Sequence, residues 1–292
     1  MKKFILNSFL LIGAVLLNST VTRAQLNPLS AQYYSNEYLA NPAMAAASGG
    51  IKVFGGLRQQ WSMISGTPFS QAVTAEFALK EKAGLGLNLW NEQAGLIKTT
   101  RLMGSYAYHL PLNNENQKLH FGLSLGVASQ RLMNEKLYGD PDDPTVGRFN
   151  DEGMYVDGDF GVAYTDNKFS IQAAIPNLNS FLKRDQNNIT DRSTYYAAVS
   201  YRYAYGPTAG IEPKLAFRGV QGHTNIVDAG VNVSLISNQL LFTGMYHSSQ
   251  NATFGLGMNF RSLSFLGSYT TETSALRGYT SGNFEIGVGY RL

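Results

Sequence analysis

Four histidines are the side chains of this sequence best suited to moving protons or holding a metal: His109, His120, His223 and His247. His109 and His120 bracket a turn at Pro111 and are spaced to approach each other. No carboxylate stands at ligand-like spacing from them, so exposed turn residues are a simpler expectation than a metal pair. Ser248 and Ser249 follow His247, but a serine hydrolase needs a Ser–His–acid set, and no Gly-x-Ser-x-Gly elbow is present. The chain contains no cysteine, which excludes disulfides, thiolate metal sites and a cysteine nucleophile. Gly84-Leu85-Gly86 and Gly255-Leu256-Gly257 sit inside stretches of alternating polarity and open no helix, so they are not phosphate cradles. Neither an enzymatic activity nor a cofactor is expected.

Two segments carry residue types suited to contact with a partner. From Leu132 to Gly153 the chain holds Glu135, Asp140, Asp142, Asp143, Asp151 and Glu152 against only Lys136 and Arg148. The EF-hand spacing with its glycine is missing. The segment therefore reads as a solvated loop stiffened by Pro141 and Pro144, or as a docking surface or divalent-ion site. From Pro176 to Ser193, Phe181 and Leu182 are candidate contact anchors, with packing into a neighbouring wall as the alternative.

The elements that must position these residues follow from charge and periodicity. Met1-Lys2-Lys3, the apolar stretch Phe4 to Leu17 and the small-x-small string Thr22-Arg23-Ala24 have the form of an export leader over 1–24, leaving Gln25 as the mature N-terminus. The whole chain has 23 basic and 20 acidic side chains. Cleavage removes Lys2, Lys3 and Arg23, which leaves the two signs equal and nothing to suggest nucleic-acid binding.

Beyond the leader the dominant period is two. Leu119, Phe121, Leu123, Leu125 and Val127 alternate with Lys118, His120, Gly122, Ser124 and Gly126. Met154 to Thr165, Val227 to Leu235 and Phe284 to Leu292 behave likewise. About fourteen such segments begin near Ile51, Phe69, Ala83, Lys98, Lys118, Met154, Lys168, Thr194, Ile211, Thr224, Gln239, Ala252, Ser262 and Asn283. Their length suits tilted strands crossing a bilayer, and their second face is rich in Gly, Ala, Ser, Asn and Gln, as a crowded polar lumen would be. Connections alternate between tight turns, such as Lys80-Glu81-Lys82 and Ile236-Ser237-Asn238, and long excursions. The expectation is an all-β, up-and-down transmembrane barrel over 51–292, with about 14 antiparallel strands, short periplasmic turns and longer outer loops. The segment 25–50 either plugs the lumen or lies along the periplasmic rim. Inward-facing charges (Arg58, Glu76, Arg101, Asp157, Asp159, Arg202, Lys214, Arg218, Asp228, Glu285 and Arg291) are mixed in sign, so they can neutralise one another, unlike the single-sign rings of many selective pores.

The last strand reads Glu285-x-Gly287-x-x-Tyr290-x-Leu292, similar to the C-terminal signal by which outer-membrane barrels are recognised for insertion, with Leu in place of the usual terminal Phe. Further strings occur in order: Gln32-Tyr33, Leu39-Ala40-Asn41-Pro42-Ala43, Arg58-Gln59-Gln60-Trp61, Gly66-Thr67-Pro68, Gly84-Leu85-Gly86-Leu87, Asn91-Glu92, Tyr106-Ala107-Tyr108, Leu119-His120-Phe121-Gly122-Leu123 and Ile175-Pro176-Asn177-Leu178. In that order and spacing the chain resembles the PorP/SprF family of Bacteroidota outer-membrane proteins, most strongly from Gln32 to Val127. It departs after Asn-Pro-Ala, where Met44-Ala45-Ala46-Ala47-Ser48-Gly49 replaces an early glycine. The resemblance implies a multi-pass barrel of the cell outer membrane, associated with type IX secretion and gliding. Such a protein would assist or anchor secreted cargo such as surface adhesins, without enzymatic activity. Its expected partners are outer-membrane lipids, that cargo and other secretion-system subunits. A general channel or hydrophobic-solute transporter is the alternative on the same architecture, and an outer-membrane lipid hydrolase is a third; fold alone does not separate them.

Overall fold

The computed structural model describes residues 31–61, 66–80, 82–113, 116–133, 149, 153–183, 194–220, 225–272 and 280–292. The leader, the carboxylates Asp140, Asp142, Asp143, Asp151 and Glu152, and His223 lie outside the described residues. The strands, in order, are β1 (Ile51–Gln60), β2 (Phe69–Leu79), β3 (Ala83–Ala94), β4 (Ile97–Pro111), β5 (Lys118–Leu132), β6 (Met154–Thr165) and β7 (Phe169–Ile175). Then come β8 (Thr194–Tyr201, resumed at Tyr203–Tyr205), β9 (Ala209–Val220), β10 (Ile226–Leu235), β11 (Leu240–His247), β12 (Asn251–Phe260), β13 (Leu263–Thr270) and β14 (Asn283–Arg291). A short helix, α1 (Leu178–Lys183), follows β7. Every strand begins within two residues of the start expected from the alternation.

Each strand pairs antiparallel with its neighbours in sequence, and β14 returns to β1 in a register running from Lys52↔Arg291 to Gln60↔Asn283. The sheet is therefore a closed 14-stranded barrel. Closure leaves no free edge between first and last strand, so backbone groups along the shared ladder are paired where water is absent. No helix among the described residues is long and apolar enough to cross a membrane; strands do the crossing.

The period of two sorts the side chains. Leu85, Leu87 and Leu89 on β3, Leu123 and Leu125 on β5, and Ile286 and Val288 on β14 are exposed and point outward. Such a continuous apolar exterior would be a liability in water and is what a hydrocarbon surround requires. The intervening positions point inward and bury Thr74, Ser105, Ser124, Gln172, Asp228 and Glu285. Short turns join the strands at one end, several through residues in the left-handed region. Ile236, Ser237 and Asn238 have φ of 52°, 53° and 67°, and Arg261 has φ 55°. At the turn between β6 and β7, the Asp166 carboxylate accepts the backbone N–H groups of Lys168 and Phe169, both at 2.6 Å. Those two bonds hold its pKa below the usual carboxylate range. Longer connections all lie at the other end.

Candidate functional site: the occupied lumen

Residues 31–50, which precede β1, run through the interior of the barrel as three 3-10 turns, Ala31–Tyr34, Glu37–Leu39 and Pro42–Met44. Such short turns suit a chain that has no room for an α-helix and must spend its polar groups on the surrounding wall. Asn41 precedes the last turn with its side chain accepting the Ala43 N–H at 3.0 Å, and Pro42 supplies a fixed φ at the first position. The same Asn41 side chain donates to the Val162 carbonyl at 3.1 Å.

The wall makes space for this segment by omitting side chains. Gly122 and Gly161 are direct partners across β5 and β6. A Cβ at Gly122 would overlap the Ala43 nitrogen, and one at Gly161 would overlap the Asn41 side chain. On β3, Gly84 faces the Ala45 carbonyl and Gly86 faces the Tyr38 ring; on β1, Gly56 faces Gln32. These are close approaches of one chain to another, a use of glycine in strands that costs intrinsic strand stability.

Polar bonds fix each turn in register. Glu285 accepts the backbone N–H groups of Ala31 and Gln32 at 3.0 and 3.1 Å. Asn36 donates to Thr74 at 3.0 Å, and the Ala46 N–H donates to Glu76 at 2.8 Å. Tyr38 shares a hydrogen bond of 2.8 Å with Ser105, which continues to Ser124 at 2.7 Å. Lys214 meets Glu37 at 2.7 Å and lies 4.8 Å from the Tyr34 ring centre. Burial alone would raise the Glu37 carboxyl, but the Lys214 ammonium, Arg202 and a hydrogen bond from Gln172 together hold the pKa below the ordinary value. The Tyr33 hydroxyl donates to Asp228, and burial pushes that phenol well up, so it stays protonated. Asp228 is fully buried and also receives Arg218 at 2.7 Å and His247 Nδ1 at 2.6 Å.

The mixed inward charges thus resolve mostly into pairs: Lys52–Glu76, Arg58–Glu285, Arg101 with both Asp157 and Asp159, and Arg218–Asp228. Arg202 pairs with Glu212 at 3.0 Å but is exposed, as is Arg291; both stand at the short-turn opening.

His109 and His120 are not exposed turn residues. They oppose each other across β4 and β5, both buried, with their Nδ1 atoms 2.7 Å apart. His109 Nε2 donates to the Ala45 carbonyl at 3.1 Å, and His120 Nε2 meets the Thr165 hydroxyl at 2.8 Å. His109 thereby holds the segment directly, and His120 braces His109 from the wall. The expectation failed because the strands continue past the histidines, and period two turns both rings inward. Among the described residues, no group of three or more His, Cys, Asp and Glu side chains is placed to hold a metal.

A chain Asp228–His247–Thr253–Thr270 has the appearance of a charge relay, with His247 Nε2 at 2.8 Å from Thr253. Thr253 is 1% exposed, and Asp228, the other partner of His247, is already engaged by Arg218 and Tyr33, so the array locks the wall. The serines adjacent to His247 take no part in it: Ser248 accepts the Val227 N–H at 2.9 Å, and Ser249 donates to Asn251 at 2.6 Å.

At the long-loop end, α1 is anchored to the wall through its start. The N–H groups of Asn177 and Asn179 donate to Asp159 and Asp157 at 3.0 and 3.1 Å. The helix carries both predicted contact residues. Phe181 packs edge-on to Tyr195 with ring centres 6.0 Å apart, whereas Leu182 is 73% exposed.

The strings that marked the sequence converge on this arrangement. Gln32-Tyr33 and Asn41-Pro42-Ala43 form the inner segment; Arg58, Gly84, Gly86 and Gly122 form its seat. A model of the type IX secretion system membrane protein PorP/SprF matches residues 22–290. The chain belongs to the PorP/SprF family. No curated protein matches it by sequence. Among solved structures it is similar to the outer membrane protein Omp33 of Acinetobacter baumannii, with 8% identity, 84% of this chain and 98% of that chain covered, and a TM-score of 0.49. It is also similar to the Ralstonia pickettii toluene transporter TbuX, with 11% identity, coverages of 87% and 92%, and a TM-score of 0.49. A third is a TodX deltaS2S3 mutant monoaromatic hydrocarbon channel, with 10% identity, coverages of 86% and 92%, and a TM-score of 0.49. As a closed barrel with an apolar exterior in a type IX secretion membrane family, this PorP/SprF protein resides in the outer membrane.

Proposed function

We propose that this PorP/SprF protein is an accessory or anchor that helps particular type IX cargo reach, or stay at, the cell surface. In this reading it works through its two rims, without catalysing a reaction or passing solutes. The observation that carries the reading is the occupied lumen. Segment 31–50 is bonded along its length to the wall, from Glu285 at Ala31 to His109 at Ala45. A barrel whose passage is blocked by its own chain has its two mouths left for recognition, and loops on a rigid scaffold are where recognition concentrates. Short turns face the periplasm in barrels of this kind, which puts the loops 133–153 and 176–193 outside.

The test is replacement of Asp140, Asp142 and Asp143 together by Asn. Each change keeps size and removes charge, so insertion should persist at a cost within about half a kcal/mol apiece. Surface display of at least one secreted protein should fall, and its residual attachment should lose sensitivity to salt. Undiminished display of the whole surface proteome would remove the acidic loop from the account and leave Phe181 and Leu182 as the rim residues to replace.

A further inference from the structure

Between the inner segment and the wall from β8 to β13 lies a cavity of about 1,100 Å³, bordered by the short turns at 206–208, 237–239 and 261–262 and so open at that end. Its wall is neutral and rich in hydrogen-bonding groups: Asn232, Ser234, Thr243, Asn259 and Ser264 all face it. The charged residues deep in it are internally matched, with Lys214 on Glu37 and Lys52 on Glu76, and Arg202 at the opening pairs with Glu212.

The opening is different. Lys80, Lys82, Lys118, Lys168, Arg261 and Arg291 stand around the short-turn end, and none has a carboxylate within 4.0 Å among the described residues. Glu81 and Glu115, in two of the same turns, lie outside the described residues. Asp166 is already bonded to two backbone N–H groups. Arg291 reaches the Ser48 carbonyl at 3.3 Å, and Arg261 lies over the Phe260 ring at 5.4 Å. Both residues border the cavity and are exposed, and neither side chain has a carboxylate partner among the described residues, so both keep donors for another molecule.

We propose that this periplasmic vestibule receives an extended, acidic polypeptide segment of a periplasmic partner. The basic rim draws it in, Arg261 and Arg291 hold carboxylates at the mouth, and the Asn/Ser/Thr wall bonds its backbone. A charge-lined concave mouth raises the local concentration of the opposite charge and speeds capture. Planar guanidinium groups suit bidentate grip on carboxylates. A cavity of this volume exceeds what a small ion needs and lies just above the usual range of small-ligand clefts. The inference does not depend on the cargo role, since it concerns the opposite rim.

The test uses the full mature chain, folded in discs of zwitterionic phosphatidylcholine, and a fluorescent twelve-residue peptide alternating Glu with Gly or Ser. A Lys-containing peptide of equal length is the control. At low salt the acidic peptide should bind at least tenfold more tightly than the control, and about tenfold more weakly once 300 mM salt screens the rim. Arg261→Gln with Arg291→Gln should weaken it at least fivefold, and a bulky maleimide on Asn259→Cys should block it without touching either arginine. Equal binding of both peptides, indifference to the blocked cavity, or displacement by inorganic phosphate as complete as by unlabelled peptide would each overturn the proposal. The last outcome would leave a simple anion site.

Discussion

Gly122→Val should expel the inner segment while leaving the barrel closed. A Cβ there already overlaps the Ala43 nitrogen and the Pro42 carbonyl carbon, both backbone atoms that cannot rotate away. Valine adds two further carbons. Overfilling a packed site costs about 1–3 kcal/mol. Lifting the last turn off the wall also separates Asn41 from Val162, and a buried amide left without its partner costs about 1–3 kcal/mol more. The sum is at least about 2 kcal/mol against the docked segment, or roughly thirtyfold in its occupancy. The β5–β6 ladder is indifferent to this change, because Val suits a strand better than Gly does. The chain has no cysteine, so Ala40→Cys, at a site only 4% exposed, gives a clean assay. Thiol labelling of that position in folded protein should be slow in the parent and at least tenfold faster with Gly122→Val, while the compact form on unheated gels persists. Equal labelling rates in a folded Gly122→Val barrel would refute the claim that the glycine seat holds the segment.

Three further outcomes follow. The Glu37 carboxyl sits below its unfolded pKa chiefly because of Lys214, so its contribution is complete above the unfolded value and is lost as pH falls through the lower folded one. The protection of Ala40→Cys, read as its labelling rate relative to free cysteine at the same pH, should therefore hold from neutral pH down through the ordinary carboxylate range and be lost only in more acidic solution, with Glu37→Gln abolishing that loss. Glu285→Gln leaves Arg58 without that carboxylate in a buried site and should cost about 3–5 kcal/mol, read as a lower melting temperature, with much of it recovered in an Arg58→Met, Glu285→Gln double variant, whose amide oxygen can still accept from the inner segment. Cysteines at Asp166 and Asn238 should resist an impermeant reagent in whole cells while cysteines at Asp143 and Asn187 react; the reverse pattern would invert the assigned orientation.

Much of this architecture was legible because the period of two is a physical signature: one face meets lipid and the other does not. The outward leucines of β3 and β5 and the tight turns at Asp166 and Ile236 settle strand number and limits nearly to the residue. Partnerships inside the lumen were not legible. Glu37 and Lys214 are far apart in sequence, as are Tyr33 and Asp228, and only closure of the barrel brings them together. Glu285 looked like part of a terminal insertion signal, yet it also receives the backbone of Ala31 and Gln32. One signal was read only as a crowded lumen and not as a groove. Gly84, Gly86, Gly122 and Gly161 all fall on inward positions of β3, β5 and β6, and a patch of inward glycines marks a groove for something to lie in. The break at Arg202, which divides β8, and the helix α1 had no periodic trace because each is shorter than the window in which a period is seen.

The central claim is that the protein's own chain blocks passage through the lumen and that function lies at its two mouths. Single-channel recording of the purified mature protein in a planar bilayer tests it most directly. The account predicts little or no steady conductance in the parent and openings only when the segment is displaced, as by Gly122→Val. A large, steady, porin-like conductance in the parent protein would contradict it and return the barrel to the channels.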